Sequence, residues 1–306
     1  MLSDARSDAL GLAGPVIVTG ANGFIGRHLC RHLAASGVDI HAVVRETTSR
    51  TVRFPTGVTV HAVRDATVEY PAVAAEVRPQ VVFHLATLFA ARHAASEIVR
   101  MIDANVAFGT VVCDASSQGG ARVVHTTSAW QHYGGGAYSP VSLYAATKQA
   151  LCDVITYFAE VEGLFAREVC LFDTYGPDDD RKKLVSVLLE AASTGARLPM
   201  SSGHQLTDLT HVEDVVAALV HVAVGDPPPT RLVARSGQPL SIRALVGLVE
   251  QVTGRSVNAE WNVLDARPRE MTDDWPVEAA LTRWRPLVNL PAGLAQLWAE
   301  RTHERD

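Results

Sequence analysis

The fold is decided by the stretch Val16-Ile-Val-Thr-Gly20-Ala-Asn-Gly23-Phe-Ile-Gly26, which joins a short β-rich run to a helical pattern at 27–36. Glycines spaced three residues apart let the backbone turn tightly and approach a ligand closely. Backbone amides at the start of a helix favour an anion such as a pyrophosphate. Tight packing of strand on helix would select the same glycines, but their position between a strand and a helix predicts a dinucleotide site.

Strands and helices alternate from this stretch as far as residue 175. Apolar runs indicate the strands, and a 3.6-residue apolar period indicates the helices. The predicted strands are 16–19, 38–44, 58–63, 81–85, 122–126 and 167–172, and the predicted helices are 27–36, 72–77, 95–116 and 143–162. Alternation of this kind favours parallel βαβ units, so we predict an α/β fold with a doubly wound parallel sheet.

The alternation decays after Tyr175-Gly-Pro177, although helical patterns recur. These later helices are predicted at 184–194, 212–224, 242–253 and 290–301. We therefore divide the chain into a loose leader at 1–14, a dinucleotide-binding domain at 15–175 and a lobe formed mainly by 176–306, with 212–224 returning to the first domain.

Composition excludes several classes of protein. The 306 residues carry a net charge of −6 and have a pI near 6.0, which argues against a dedicated nucleic-acid or membrane-surface binder. The charged N-terminal segment lacks the apolar run of a signal peptide, and no long apolar stretch predicts a membrane span. Four dispersed cysteines predict buried free thiols, no metal site is expected, and we expect a cytoplasmic protein.

Tyr144 and Lys148 stand four residues apart in a chain with only three lysines. Positions i and i+4 share one face of a helix, so the ammonium group can lie beside the phenol. A nearby cation stabilises a phenolate and lowers the pKa of the tyrosine, which would suit acid–base catalysis. An ordinary helical pair on a solvated face is the alternative interpretation.

Arg45 ends the strand that follows the glycine-rich helix. An arginine at this edge suits the 2′-phosphate of NADPH, whereas an acidic residue suits the ribose 2′-hydroxyl of NADH. Glu46 is adjacent and makes the pattern mixed. We predict NADPH as the cofactor, with NADH as the less favoured alternative.

A set of motifs together resembles the extended short-chain dehydrogenases/reductases, the NAD-dependent epimerase/dehydratase family. They are Gly20-x-x-Gly23-x-x-Gly26, His84-Leu-Ala86, Asn105, Tyr144-x-x-x-Lys148, Tyr175-Gly-Pro177 and Asp208-x-x-His211-Val-x-Asp214. The resemblance runs from about Pro15 to Trp298 and implies a Rossmann-type sheet with a smaller C-terminal substrate-binding lobe. Within the family, the segments around Ser128, Tyr144 and Phe172 look like reductases of nucleotide-linked 4-keto-6-deoxyhexoses, such as abequose and paratose synthases.

The resemblance also implies roles for individual residues. Ser128 takes the position of the catalytic Ser/Thr, with Thr126 or Thr127 as alternatives, and acts with Tyr144 and Lys148. The implied cofactor contacts are Gly20, Gly23, Phe24, Ile25, Gly26, Arg45, Asp65, Leu85, Ala86, Tyr144, Lys148, Phe172 and Thr174. The implied substrate contacts are Trp130, Gln131, Tyr133, Asp173, Arg181, Lys183, Gln205 and Arg267, with Arg267 placed to bind the diphosphate.

Two positions depart from the family pattern. Thr207 stands where many members have an arginine for the diphosphate, and Asp173 replaces a usual asparagine. A carboxylate would repel a diphosphate, so Asp173 is expected to meet sugar hydroxyls or a differently placed phosphate.

The residues after Ser128 bear on the reaction. Family 4,6-dehydratases carry Asp-Glu directly after the catalytic Ser/Thr, whereas Ala129-Trp130 follows here, so dehydration is disfavoured. We expect NADPH-dependent reduction of the 4-keto group of a nucleotide-diphosphate 4-keto-6-deoxyhexose, with dTDP as the favoured nucleotide and a homodimer as the assembly. A 4-epimerase that retains its NAD, and a non-catalytic NADP(H)-binding sensor, are the alternatives.

Overall fold

The computed structural model describes residues 11–48, 53–224, 231–277 and 284–303, so the first ten residues of the predicted leader lie outside the described residues. Thirteen strands are found in these ranges. They are β1 (Val16–Thr19), β2 (Ile40–Arg45), β3 (Val58–Val63), β4 (Val81–His84), β5 (Arg122–Ser128), β6 (Ala166–Leu171), β7 (Asp173–Tyr175), β8 (Leu198–Pro199), β9 (Leu206–Thr207), β10 (Leu209–His211), β11 (Arg231–Ala234), β12 (Leu240–Ser241) and β13 (Ala259–Glu260).

The described ranges hold nine α-helices. They are α1 (Phe24–Ala35), α2 (Ala66–Val77), α3 (Ile98–Ile102), α4 (Phe108–Gly119), α5 (Leu143–Val161), α6 (Leu184–Thr194), α7 (Val212–Val224), α8 (Ile242–Thr253) and α9 (Leu290–His303). A π-helical turn, Asp103–Ala107, joins α3 to α4. None of these helices combines the length and apolar character that a membrane crossing requires.

Seven strands form the main sheet in the order β11-β6-β5-β4-β1-β2-β3, and every neighbouring pair is parallel. The order reverses at β1, with β2 on one side and β4 on the other, so the carboxyl ends of β1 and β4 flank a crevice. The predicted α/β, Rossmann-type doubly wound sheet is therefore confirmed.

Helices cover both faces of the sheet. One apolar core joins β1 to α1 and α7 through residues such as Val18, Leu29 and Leu219. The opposite core joins the sheet to α2, α4 and α5 through residues such as Tyr70 and Leu151. The helix at 212–224 thus packs on the main sheet.

A third apolar core lies in the C-terminal part of the chain. It joins α6, α8 and α9 through Leu188, Leu245 and Leu294. Asp214 ties the segment before α9 to α7, because its carboxylate accepts hydrogen bonds from the backbone amides of Leu287 (2.8 Å) and Val288 (3.0 Å). Apart from β11, which joins the main sheet, the lobe is built from helices and strands of two or three residues, and its loops are joined by backbone hydrogen bonds such as that from Met200 N to Glu260 O at 2.8 Å.

Several predicted boundaries differ from the structure; α1, for example, begins at Phe24 and not at residue 27, and β2 begins at Ile40 and not at residue 38. Helix α2 begins at Ala66 and continues through Pro71, because the Asp65 side chain caps it by accepting from Thr67 N at 3.0 Å. Strand β5 continues to Ser128, two residues beyond the predicted end. The helix predicted at 95–116 is divided by the π-turn and extends to Gly119. The four cysteines are free thiols, as predicted, but only Cys30, Cys113 and Cys170 are buried, whereas Cys152 is half-buried.

Candidate active site

The glycine-rich turn between β1 and α1 packs closely on its own backbone and on the loop after β4 because its glycines lack side chains. Gly20 has a φ of +65°, and a Cβ there would stand 2.6 Å from the backbone nitrogen of Ala86. A Cβ on Gly26 would collide with the carbonyl oxygen of Gly20. Gly23 is the N-cap of α1 and provides no side-chain capping bond, so the first amides of α1 face the turn. This cradle fits the pyrophosphate of a dinucleotide.

The carboxyl end of β4 completes one wall of the cradle. The hydroxyl of Thr19 lies 2.9 Å from His84 Nδ1 and accepts a hydrogen bond from the Ala86 amide at 3.3 Å. Burial, together with the charge of Lys148, lowers the pKa of His84 to about 3. A neutral His84 therefore fixes the loop that carries Leu85 and Ala86.

Arg45 and Asp65, two predicted cofactor contacts, follow neighbouring parallel strands. Arg45 is the last residue of β2 and is exposed, while Glu46 forms an ion pair with Arg64 at 2.8 Å. Asp65 is also exposed, and one of its oxygens accepts from both the amide and the hydroxyl of Thr67. Arg64 therefore competes with a ribose hydroxyl of a cofactor for the Glu46 carboxylate.

Arg181 lies with predicted cofactor residues. Its guanidinium stands 4.0 Å from the centre of the Phe24 ring, and its Nη2 donates to the carbonyl oxygen of Thr174 at 2.9 Å. The charge of Arg181 is paired with Asp179 at 2.7 Å. The structure thus joins Arg181 to Phe24 and Thr174, whereas the sequence grouped it with Lys183. Two other predicted cofactor contacts lie in apolar cores. Ile25 packs against the core between β1 and α1, and Phe172 packs in a smaller cluster with Trp275.

Tyr144 and Lys148 lie in the first turns of α5. The hydroxyl of Ser142 caps this helix by accepting from the Ala145 amide at 3.3 Å. Tyr144 is 9% exposed and Lys148 is 3% exposed. The Lys148 ammonium donates to the carbonyl oxygen of Thr126 on β5 at 3.0 Å, which ties the helix to the strand. The solvated-face interpretation of this pair is therefore wrong.

Burial dominates the electrostatics of both groups. It raises the pKa of the Tyr144 phenol, and the charge of Arg181 opposes this rise. It lowers the pKa of Lys148 to about 8. The Lys148 ammonium lies 6.0 Å from the Tyr144 ring centre, yet the net change is a rise of the phenol pKa. The prediction that Lys148 lowers the pKa of Tyr144 is therefore wrong for this arrangement, because desolvation of the phenolate prevails.

Ser128 ends β5 beside the start of a 3₁₀ turn, Ala129–Gln131. Its hydroxyl accepts from the Trp130 amide at 3.2 Å, and its own amide donates to Gln131 Oε1 at 3.0 Å. Because the hydroxyl accepts in this bond, its hydrogen remains able to point at a ligand.

The two alternative hydroxyls on β5 are placed differently. Thr126 and Thr127 are both buried, and the Thr127 hydroxyl donates to Glu168 Oε1 at 2.5 Å. Ser128 is half-buried. Its position therefore favours Ser128 over either threonine as the hydroxyl that meets a substrate.

An aromatic cluster surrounds Tyr144. The Phe89 ring lies 5.0 Å from the Tyr144 ring and 5.5 Å from the Trp130 ring, measured between centres. The Lys183 ammonium stands 3.7 Å from the centre of the Phe89 ring. The Arg267 guanidinium stands 5.4 Å from the centre of the Trp130 ring. The structure thus brings Trp130, Lys183 and Arg267 to the candidate catalytic tyrosine.

Phe89 was missed by sequence reasoning although it joins these groups. It follows His84-Leu-Ala86 at the carboxyl end of β4, where ligands bind in sheets of this type. That placement is the one signal in the sequence that points to it.

Two predicted substrate residues on the segment after β5 have other contacts. Gln131 is buried, and its side chain bonds the Ser128 amide and Gln149 Oε1 (3.0 Å). The Tyr133 ring packs edge-on to Trp275, 5.7 Å between centres. Gln131 thus positions Ser128, and no contact found here joins Tyr133 to the cluster around Tyr144.

The two departures from the family pattern contact each other. The Thr207 hydroxyl donates to Asp173 Oδ2 at 2.8 Å. Gln205, on the same side of the lobe, donates from Nε2 to the Ser201 hydroxyl at 2.9 Å. Sequence spacing gave no sign of the pair because its members lie 34 residues apart.

Comparison with known proteins agrees with this geometry. The chain is 22% identical over 290 residues to the CDP-abequose synthase of Salmonella typhimurium, covering 92% of this chain and 96% of that enzyme. It is 26% identical over 307 residues to the UDP-glucose 4-epimerase of Mycolicibacterium smegmatis, again covering 92% and 96%.

Solved structures share the fold along almost the whole chain. The structure of MoeE5 in complex with UDP-glucose and NAD has a TM-score of 0.78 and 28% identity, covering 95% of this chain and 100% of that one. The sequence profile of the NAD dependent epimerase/dehydratase family matches residues 16–231. The chain therefore belongs to the NAD dependent epimerase/dehydratase family, the extended short-chain dehydrogenases/reductases that its motifs resembled.

Proposed function

We propose that the protein catalyses the NADPH-dependent reduction of the 4-keto group of a nucleotide-diphosphate 4-keto-6-deoxyhexose. One observation carries the proposal: the residues that follow Ser128 at the end of β5 are a buried alanine and a tryptophan. Neither side chain can transfer the extra proton that loss of water requires. Near full-length similarity to a CDP-abequose synthase supports the same conclusion.

The candidate residues divide the chemistry between them. When bound, NADPH supplies a hydride to the carbonyl carbon. The Ser128 hydroxyl donates a hydrogen bond to the carbonyl oxygen, and Tyr144 passes its phenolic proton to that oxygen as negative charge develops. The raised pKa of Tyr144 keeps the phenol protonated until it acts. Lys148 binds the ribose of the cofactor, and solvent returns the proton to Tyr144.

The diphosphate is assigned to Lys183 and Arg267. Both cations stand over the aromatic cluster, on rings that contact each other. The Arg267 side chain is 48% exposed and pairs with Glu270 at 3.3 Å, so a phosphate can compete for its guanidinium. Arg181 is omitted from this assignment because Asp179 and Thr174 hold it.

NADPH is preferred over NADH in this proposal. Arg45 is exposed at the edge that would meet a 2′-phosphate, while the carboxylate of Glu46 faces Arg64. The NAD found in the complex of MoeE5 makes this preference a point to test.

Homodimerisation is also proposed. Apolar side chains are exposed on α3, at Val99 and Ile102, and on α5, at Tyr157 and Val161. Burying them between two copies would remove apolar area from water. Light scattering coupled to size exclusion should give twice the mass of one 32.8 kDa chain.

The direct test incubates the protein with dTDP-4-keto-6-deoxyglucose and NADPH, with the CDP analogue in parallel. We expect loss of NADPH absorbance and a product sugar with a single configuration at C4. No oxidation of NADPH with either compound would contradict the proposal.

A 4-epimerase is the second candidate, because the chain is similar over most of its length to a UDP-glucose 4-epimerase. That enzyme class uses the same Ser, Tyr and Lys but retains its NAD. Purified protein that interconverts 4-epimers without added cofactor would favour this function over the ketoreductase.

A further inference from the structure

Phe89 is a large apolar side chain that the fold leaves 39% exposed inside the candidate active site. Its ring stands edge-on to the Tyr144 ring, at 73° between the planes, and tilted towards Trp130 at 56°. It is therefore the one residue in this cluster that contacts the candidate proton donor, a second aromatic wall and a diphosphate-binding cation, Lys183.

The position of this ring is fixed by its backbone. Asn105 Oδ1 accepts from the amide of Leu88 at 2.6 Å and from the Thr87 hydroxyl at 3.1 Å, and its Nδ2 donates to the Leu88 carbonyl at 3.0 Å. The same Nδ2 donates to the Thr147 hydroxyl on α5 at 2.9 Å. A single buried amide thus sets Phe89 relative to the helix that carries Tyr144.

The chemistry of the ring selects what it can contact. An aromatic ring packs well on C–H groups, but it cannot replace the water that a ligand hydroxyl loses on contact. The exposed part of Phe89 therefore favours a methyl group over a hydroxymethyl group on a ligand held between Tyr144 and the cations.

We propose that Phe89 is a specificity-determining residue that packs against the 6-methyl group of the hexose and so selects 6-deoxy sugars. The inference rests on the proposed function for the class of ligand, a nucleotide-linked hexose. It adds the residue that distinguishes a 6-deoxyhexose from its 6-hydroxy counterpart.

The test measures binding by calorimetry in the presence of NADPH. The probes are 6-deoxyglucose and glucose linked to the same nucleoside diphosphate, as dTDP, CDP and UDP pairs, together with each free nucleoside diphosphate. Both sugars carry a 4-hydroxyl, so NADPH leaves them unreacted. The pair that the parent binds most tightly is then used for every variant.

Four proteins are compared: the parent, Phe89→Ala, Phe89→Tyr and Phe165→Ala. Phe165 is the matched control because it is 43% exposed and directly precedes the amino end of β6, the opposite edge of the sheet. Phe89→Tyr retains the ring. The NADPH affinity and melting temperature of each variant establish that it is folded.

We expect the parent to prefer the 6-deoxy sugar by about tenfold, the lower range for one apolar contact of this size. Phe89→Ala should reduce the preference to less than about twofold while leaving the affinity for the free nucleoside diphosphate unchanged. Phe89→Tyr and Phe165→Ala should keep the preference of the parent.

A parent without preference, or a Phe89→Ala variant that keeps it, overturns the inference. So does a variant that loses equal affinity for both sugars and for the free diphosphate, because Phe89 would then act only through Lys183. The two proposals fail separately. If the preference depends on Phe89 but the parent oxidises no NADPH with a 4-keto sugar, the ketoreductase falls and the inference stands. If NADPH is oxidised with a 4-keto sugar but Phe89→Ala keeps the preference for the 6-deoxy sugar, the inference about Phe89 falls and the ketoreductase stands.

Discussion

The carboxyl edge of the main sheet and the C-terminal lobe hold their polar residues by different means. At the sheet edge, regular elements place Tyr144, Lys148 and Ser128: two lie in the first turns of α5 and one ends β5. In the lobe, side chains bridge segments of irregular backbone, as where Asp208 accepts from Arg235 Nε at 2.9 Å and from the Ser236 amide at 2.7 Å. Exchange of a functional group at the sheet edge should therefore change the rate of the reaction, whereas exchange in the lobe should change stability and the affinity for the sugar nucleotide.

The largest expected effect is at the sheet edge. Tyr144→Phe removes only the proposed acid, so kcat should fall about a thousandfold while the Kd for NADPH stays within about twofold. Tyr157→Phe, on an exposed position of the same helix, is the control and should keep the activity of the parent. Ketoreductase assays and NADPH fluorescence titration measure both quantities, and a Tyr144→Phe variant as active as the parent would disprove the assignment of the acid.

Lys148 gives the next largest effect, on stability. Its folded pKa of about 8 lies below the 10.5 of a free lysine, so the unfolded chain binds this proton more tightly. The resulting penalty, about 3 kcal/mol, is complete below pH 8 and disappears as the pH rises towards 10.5. Lys148→Met removes the penalty and loses one hydrogen bond to Thr126, so the free energy of unfolding at pH 7 should rise by about 2 kcal/mol.

Urea unfolding at pH 7 and pH 10 tests this value. The advantage of Lys148→Met over the parent should shrink at pH 10, and activity should be lost at both pH values. Lys182→Met, at an exposed lysine, should change neither stability nor its pH dependence. An advantage that persists at pH 10 would mean that burial does not govern the charge of Lys148.

The choice between NADPH and NADH tests the exposed part of the sheet edge, at the end of β2. Arg45→Ala should lower the ratio of kcat/KM for NADPH over NADH about tenfold, the value of one exposed arginine–phosphate contact. Arg64→Ala breaks the ion pair of Glu46 and should raise kcat/KM for NADH about twofold. Steady-state kinetics with both cofactors measure the ratios, and an NADH preference in the parent would reverse the assignment.

The smallest effect is expected in the lobe. Thr207→Val keeps the shape of the side chain but removes its hydrogen bond to Asp173. We expect about 1 kcal/mol less stability and a KM for the sugar nucleotide about threefold higher, with kcat unchanged. Thr156→Val, at an exposed helical position, is the control. A large fall in kcat would place Asp173 in the chemistry, and the distinction between the two regions would fail.

The features that the sequence could predict are those that depend on local patterns. The glycine spacing, the i,i+4 pair and the strand–helix alternation are local patterns, and they gave the sheet, the cradle and the position of Tyr144. Helices α6, α7 and α8 begin and end at the residues that their apolar periods predicted.

Long-range contacts and burial account for what the sequence missed. Arg181 pairs with Asp179 and stacks on Phe24, and Phe89 joins Tyr144 to Lys183; neither contact has a spacing that a sequence pattern could reveal. The phenol pKa was mispredicted because four residues of spacing indicate proximity to Lys148 but say nothing about desolvation. The helix predicted at 72–77 begins at Ala66, and its cap, Asp65, was grouped only with the cofactor contacts.

The central claim is that this protein delivers a hydride to C4 of a keto sugar, and isotope transfer tests it most directly. NADPH carrying deuterium at C4 of the nicotinamide is incubated with dTDP-4-keto-6-deoxyglucose and, separately, with its CDP analogue, and the product is analysed by mass spectrometry and NMR. The account predicts one deuterium at C4 of the sugar for each NADPH consumed, from one face of the nicotinamide. A product without deuterium at C4, or no product from either compound, would contradict it.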